Sequence, residues 1–294
     1  MIGYIFALAS SIFFSLYVIP RKLSKQNPFH YSFFVSISFL IGSVILYSLK
    51  PVLHFNEVIN IKILWSILAG IIWAIGFVTY VKSIDLIGLS KSNQWKNLQG
   101  PVGVVLSLII LGEYTKTNSF FVLLSIMAIF TSAVAFTIVN SKSDIKENNK
   151  GVYLACLAAS AFGIVTVINK YITVNIGVYL PQVVQSISVF LTFLIIIISN
   201  RKLASDFKTV LKRDRMLGLF AGVLYLGASF TMLMCYKFIP ASVGFTIIQL
   251  NAVWTISIGL FIFKEINLKK YSKRIIFGYL FAIIGIVCLL LARR

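Results

Sequence analysis

The sequence predicts an all-α membrane protein: ten transmembrane helices arranged as two inverted five-helix repeats. Three observations lead there. The first is composition: 59% of the 294 residues are hydrophobic and 12% charged, against about 25% charged in soluble globular domains, and mean hydropathy is +0.94. The second is an internal repeat. The third is a polar stretch that makes sense only inside a span.

The apolar residues fall in runs of the length needed for a hydrocarbon core of about 30 Å, roughly 20 helical residues. Spans are expected at about 3–20, 29–49, 63–82, 86–111, 118–139, 151–170, 179–199, 216–237, 241–263 and 274–292. The opening MIGYIFALASSIFFSLYVIP lacks a basic n-region and an A-x-A site, so it reads as a retained first span. The most polar linker, SKSDIKENNK at 141–150, falls near the midpoint. It divides the chain into a first repeat over 1–140 and a second over 151–294.

The repeat is visible in register. Leu68–Glu113 aligns without a gap to Phe220–Glu265, pairing Ala69-Gly70 with Ala221-Gly222, Thr79 with Thr231, Leu98 with Leu250 and Glu113 with Glu265. Trp73 falls opposite Tyr225 and Asn97 opposite Gln249, while SIS at 36–38 matches SIS at 186–188. Both copies set small residues four apart, Ser66/Gly70 and Gly218/Gly222, a spacing that permits close helix packing in membranes. Five spans per copy is an odd number, so the second copy enters the bilayer inverted. That architecture belongs to transporters, whose substrate sites lie at the repeat interface near the midplane.

The polar stretch is SKSNQWKNLQG at 90–100, followed by PVGVVLSLIILGE. As a loop it would leave a span from Pro101 to Leu111, about 16 Å of helix, too short to cross. The fourth span therefore starts near residue 86 and carries Lys96, Asn97 and Gln99 close to its middle. On a helix Asn93, Lys96, Asn97 and Gly100 share one face. A lysine at mid-depth costs about 2.5–3.5 kcal/mol on insertion scales, so this face looks into protein or a water-filled cavity. For any single amide, helix-to-helix glue is an equal reading.

GIIWAIGFVTYVKSIDLIGLS at 70–90 with LIILGE at 108–113, and AGVLYLGASFTMLMCYKFIPASVGFTIIQL at 221–250 with GLFIFKE at 259–265, resemble the drug/metabolite transporter superfamily. Within it they are most similar to the bacterial glucose/ribose porter family. The resemblance implies two inverted five-helix repeats, a central cavity, alternating access and a monosaccharide cargo taken up with protons. The lysines of the polar stretch depart from what a neutral sugar requires.

A sugar site needs amides for hydroxyls and aromatic faces for the ring. Asn93, Asn97, Gln185, Gln249 and Asn251 are the candidates for the first, and Trp73, Tyr225 and Trp254 for the second. Each taken alone is as well explained by packing. Lys96 joins them, and with no carboxylate at mid-depth its counter-charge is an anionic group of the substrate, or else the lysine rests uncharged. Lys96, Glu113 and Glu265 are the candidates for proton coupling; for the two glutamates, which sit near span ends, a structural role is the stronger reading, and facilitated diffusion stays open.

A net charge of +19 reflects Lys and Arg at span edges, which orient spans and meet lipid headgroups; nucleic acid is not an expected partner. Most of the 27 Lys and Arg fall in the loops after the odd-numbered spans, which places those loops inside and the termini outside, whereas the resemblance implies cytoplasmic termini. Cys156, Cys235 and Cys288 lie in apolar runs without a metal-binding spacing. No catalytic or phosphate-binding motif is present, so neither enzymatic activity nor a cofactor or metal is expected. The expected partners are the lipid bilayer, a small-molecule substrate and protons, in the cell membrane. The alternative is an exporter or exchanger of amino acids or other small organic anions.

Overall fold

In a computed structural model, the described residues (1–49, 57–112, 118–137, 149–264 and 268–292) form helices and connections, with no strand among them. Glu113, Glu265 and most of the 141–150 linker lie outside the described residues. Within the described residues, helix covers most of each expected span. Among the described residues, seven helices are long and apolar enough to cross a membrane: Ile2–Leu23, Pro28–Ser48, Ile61–Ile87, Asn149–Asn175, Tyr179–Ser199, Lys212–Phe238 and Tyr271–Cys288. The expected fourth and ninth spans are interrupted. One runs as Leu89–Lys96 and Gln99–Ile110, the other as Ala241–Ile248 and Asn251–Ser257 with a π-helical end at Ile258–Ile262.

The chain packs as two compact units, each drawing on both halves of the sequence. The first comprises Met1–Val78 and Ile168–Ile239. In it the Lys212–Phe238 helix packs on Ile2–Leu16 and on Pro28–Ser48, which packs in turn on Tyr179–Ser199. Pro28 opens its helix at a position where no N–H is needed, and the Asn27 side chain accepts from the Phe29 amide at 2.9 Å. At the far end of Lys212–Phe238, the Lys170 ammonium donates to the carbonyls of Tyr236 and Ile239 at 2.7 and 3.0 Å, placing a cation where helical carbonyls lack partners.

Two helix crossings in this unit repeat each other residue by residue. Ser188 Oγ donates to the Ile67 carbonyl at 2.8 Å, and a Cβ on Gly70 would lie 2.7 Å from the Gln185 carbonyl oxygen. Ser38 Oγ donates to the Leu219 carbonyl at 2.6 Å, and a Cβ on Gly222 would collide with the Val35 carbonyl and Ser38. Every partner in one crossing is the sequence counterpart of a partner in the other. Glycine is required at both because backbone approaches backbone.

The second unit comprises Thr79–Val167 and Pro240–Arg294. Its Ser119–Thr137 helix packs along Leu268–Leu291, with Ser132 Oγ donating to the Gly278 carbonyl at 2.7 Å. Gly88, at φ 81°, turns the chain into Leu89–Lys96. The two interrupted helices lie against one another: a Cβ on Gly100 would sit 3.1 Å from Gln249 Cγ, and one on Gly103 2.9 Å from the Phe245 ring.

The interruptions share one hydrogen-bond pattern. Around the first, the amides of Leu98 and Gly100 donate to the carbonyls of Trp95 and Asn97 at 3.2 and 2.9 Å. Around the second, Leu250 and Ala252 donate to Ile247 and Gln249 at 3.0 Å each. These are short three-residue turns set into α-helix. Pro101, with no N–H, suits the first, but the second has Val253 at the matching place. There the Asn251 side chain donates to the Ile248 carbonyl at 2.7 Å, competing with the backbone ladder.

Candidate functional site

The expected site residues fall into two clusters, one in each unit. In the first unit, Trp73 and Tyr225 are 3% and 1% exposed, with ring centroids 4.3 Å apart. Phe77 stacks on Trp73 at 4.7 Å, Phe39 meets Tyr225 edge-on at 4.8 Å and Tyr17 lies 5.6 Å from it. Trp73 and Tyr225, aligned with one another in the sequence, are in direct contact. Their ring faces are occupied by one another and by Phe77 and Phe39. On the Tyr179–Ser199 helix, Gln185 is fully buried, with neither side-chain polar atom hydrogen-bonded among the described residues. Gln182 accepts from Ser229 Oγ at 3.0 Å while its amide nitrogen has no partner.

In the second unit the polar stretch is buried, as a face turned into protein requires: Asn93, Lys96 and Asn97 are 1%, 2% and 6% exposed. Tyr80 OH donates to Asn93 Oδ1 at 3.0 Å, and Gln99 Nε2 reaches Gln249 Oε1 at 3.5 Å. Asn97 and Gln249, another pair of repeat counterparts, line one cavity with Gln94, Ser132, Ala252 and Ile256. Its volume is about 20 Å³, room for one water and far below the roughly 300 Å³ at which ligand pockets begin. Asn93 Nδ2, Gln94 Nε2, Asn97 Oδ1, Gln249 Nε2, Asn251 Oδ1 and Thr255 Oγ1 are buried without a hydrogen-bond partner among the described residues. Each such group costs about 1–3 kcal/mol. A cluster of them marks a place where water or a polar ligand completes the hydrogen bonding. Trp254, expected beside them, is 44% exposed, whereas Asn251 and Thr255 are fully buried.

Lys96 lies between two rings, its ammonium 5.4 Å from the Tyr80 centroid and 5.9 Å from that of Phe162. No hydrogen bond or ion pair reaches it from the described residues. Ring faces return about 2 kcal/mol when desolvated, less than the several kcal/mol that an ammonium loses on leaving water.

Gln94 and Gln182 belong to these clusters although the sequence reading passed over them. Gln94 lies off the Asn93–Lys96–Asn97 face, and Gln182 is, like Gln185, an amide within an apolar run. Phe162, Tyr80 and Phe77 gave no signal, because aromatic residues in apolar spans are ordinary.

Comparison with known proteins identifies relatives over this whole arrangement. The family described as "Sugar transport protein" matches residues 52–292. A "Probable glucose uptake protein GlcU" of Bacillus cereus is 21% identical over 305 residues, covering 100% of both chains. A "Putative sugar uptake protein" of Enterococcus faecalis is 23% identical, covering 84% of this chain and 83% of its own. A solved crystal structure, 11% identical, superposes with a TM-score of 0.69 over 98% of each chain and shares the fold.

Proposed function

This chain belongs to the sugar transport protein family, and we propose that it carries a monosaccharide across the cell membrane by alternating access. The observation that supports this reading most is the family match over 52–292, joined by sugar-uptake relatives aligned along the full chain. It is a multi-pass membrane transporter, and its relatives are named for uptake rather than for any enzymatic reaction.

The finer architecture in this reading is that of the drug/metabolite transporter superfamily, with ten spans: a five-helix repeat over 1–140, a linker over 141–150 and an inverted copy over 151–294. The matched crossings at Gly70 and Gly222 support it, as do the identical interruptions at 97–98 and 249–250. The cargo-binding candidates in this reading are Asn93, Lys96, Asn97, Gln249 and Asn251 in the second unit, with Trp254 at their periphery, and Trp73, Gln185 and Tyr225 in the first. The Trp73–Tyr225 pair and the one-water cavity are then a form closed to cargo, which opens by re-packing these side chains. Protons couple through Lys96, Glu113 or Glu265 if they couple at all.

The test is uptake of labelled glucose and ribose by purified protein in liposomes, with and without an imposed proton gradient. Saturable uptake of either sugar is expected, with the gradient arm deciding coupling. Uptake of no monosaccharide above protein-free liposomes would overturn the reading.

A further inference from the structure

Among the candidate binding residues, only Lys96 carries a formal charge, and a neutral sugar gives an ammonium no counter-charge. It is 2% exposed, bounded by Tyr80 and Phe162 at 5.4 and 5.9 Å, with no carboxylate reaching it from the described residues. One turn earlier on the same face is Asn93, whose carbonyl oxygen is taken by Tyr80 OH at 3.0 Å while its Nδ2 is left unpartnered. That bond orients the amide so that the free group is the donor. The amide nitrogens of Gln94 and Gln249 and the indole nitrogen of Trp95 are also without partners. On the Lys96 face itself, the Asn93 amide thus offers a spare N–H donor one turn from a buried cation, and that pairing is the complement of an oxyanion. The two rings exclude water and leave the ammonium's charge unscreened.

We propose that Lys96 and the Asn93 amide form an anion subsite within the transport site, and that the cargo is an acidic monosaccharide, carrying a carboxylate or a phosphate, rather than a neutral one. This rests on the sugar-transport reading above. The Asn97–Gln249 pair remains for hydroxyl groups, since Asn97 offers an unpartnered oxygen and Gln249 an unpartnered nitrogen, the mixed donor and acceptor set that hydroxyls use.

The experiment is a competition and uptake panel in proteoliposomes: labelled glucose, gluconate, glucuronate and glucose 6-phosphate, first with the wild-type protein. Expected is at least a tenfold preference, in uptake efficiency, for one anionic class over glucose; gluconate and glucuronate against glucose 6-phosphate decides carboxylate or phosphate. Lys96→Met is expected to erase that preference and Lys96→Arg to keep it. The wild-type panel stands even where a variant fails to fold. Saturable glucose uptake with no anion preference overturns this inference and leaves the sugar-transport reading intact. Saturation by none of the sugars overturns both. An anion preference that survives in Lys96→Met shows that another group reads the charge and overturns the assignment to Lys96.

Discussion

Lys96 and Arg21 are both buried cations, held in different ways. Arg21, 4% exposed, donates to the Gln26 carbonyl at 2.8 Å and lies 5.3 Å from the Tyr31 ring centroid, so its charge-bearing group is built into a turn. From the sequence it reads as one of many edge cations in contact with headgroups; only the fold shows that a chain reversal closes over it. Lys96 was legible because a lysine in the middle of a span has no ordinary explanation. The aromatic pair was only half legible. The sequence register aligns Trp73 with Tyr225, but alignment does not say that aligned residues touch, and their 4.3 Å contact is visible only in the folded unit. Trp73→Ala removes a ring packed against Phe77 and Tyr225 and is expected to lower stability by about 3–5 kcal/mol. Trp73→Phe should recover most of that in thermal unfolding in detergent. Equal, small shifts for both variants would show that the rings are loosely packed and available without rearrangement.

At the scale of elements, the spans were readable from apolar length, and the small-residue spacing marked the faces that pack. The interruptions were not. Pro101 alone suggested a kink in one helix, while its counterpart breaks at the matching residues with Val253 in that place. The cause lies in side-chain amides that satisfy backbone carbonyls, as Asn251 does for Ile248, and composition does not distinguish an amide that bonds backwards from one that lines a cavity. The crossings make a sharper statement. Gly70 meets Gln185 and Ser188 as Gly222 meets Val35 and Ser38, so the two glycines are equivalent positions. Gly70→Val and Gly222→Val should each cost about 1–3 kcal/mol through overpacking, and by similar amounts. Ser38→Ala and Ser188→Ala, which lose one interhelical hydrogen bond apiece, should cost about 0.6 kcal/mol. A large effect at one glycine with none at the other, read by thermal unfolding, would remove the case for equivalent crossings.

At the scale of the molecule, the connections of the first unit gather at two ends. The backbone N–H of Lys25 donates to Asp214 Oδ1 at 3.3 Å, Gln26 Nε2 donates to the Asp214 carbonyl at 2.8 Å, and His30 Nε2 lies 2.9 Å from the Leu203 carbonyl oxygen. These contacts tie the segment after the first span to the segment after the seventh. Separately, Glu57 accepts from the Tyr179 and Leu180 amides at 2.6 and 2.9 Å, Val58 N–H donates to the Ile176 carbonyl at 3.0 Å and Lys62 bonds Asn175. That ties the segment after the second span to the segment after the sixth. The Tyr179–Ser199 helix, 21 residues or about 31 Å long, separates the two groups by a bilayer's hydrocarbon thickness. The proposed ten-span arrangement requires this alternation of sides. The first group holds Arg21, Lys22, Lys25, Arg201, Lys202, Lys208, Lys212, Arg213 and Arg215, and so dense a basic cluster belongs on the cytoplasmic side. In cells expressing cysteine-free protein with one cysteine restored at a time, Lys25→Cys and Lys208→Cys should resist a membrane-impermeant maleimide until the membrane is permeabilised. Asn60→Cys should react from outside. Reaction of Lys208→Cys and Asn60→Cys from the same side would contradict the span count in this unit. A full reversal of sides would keep the ten spans and show that charge does not set the orientation of this chain.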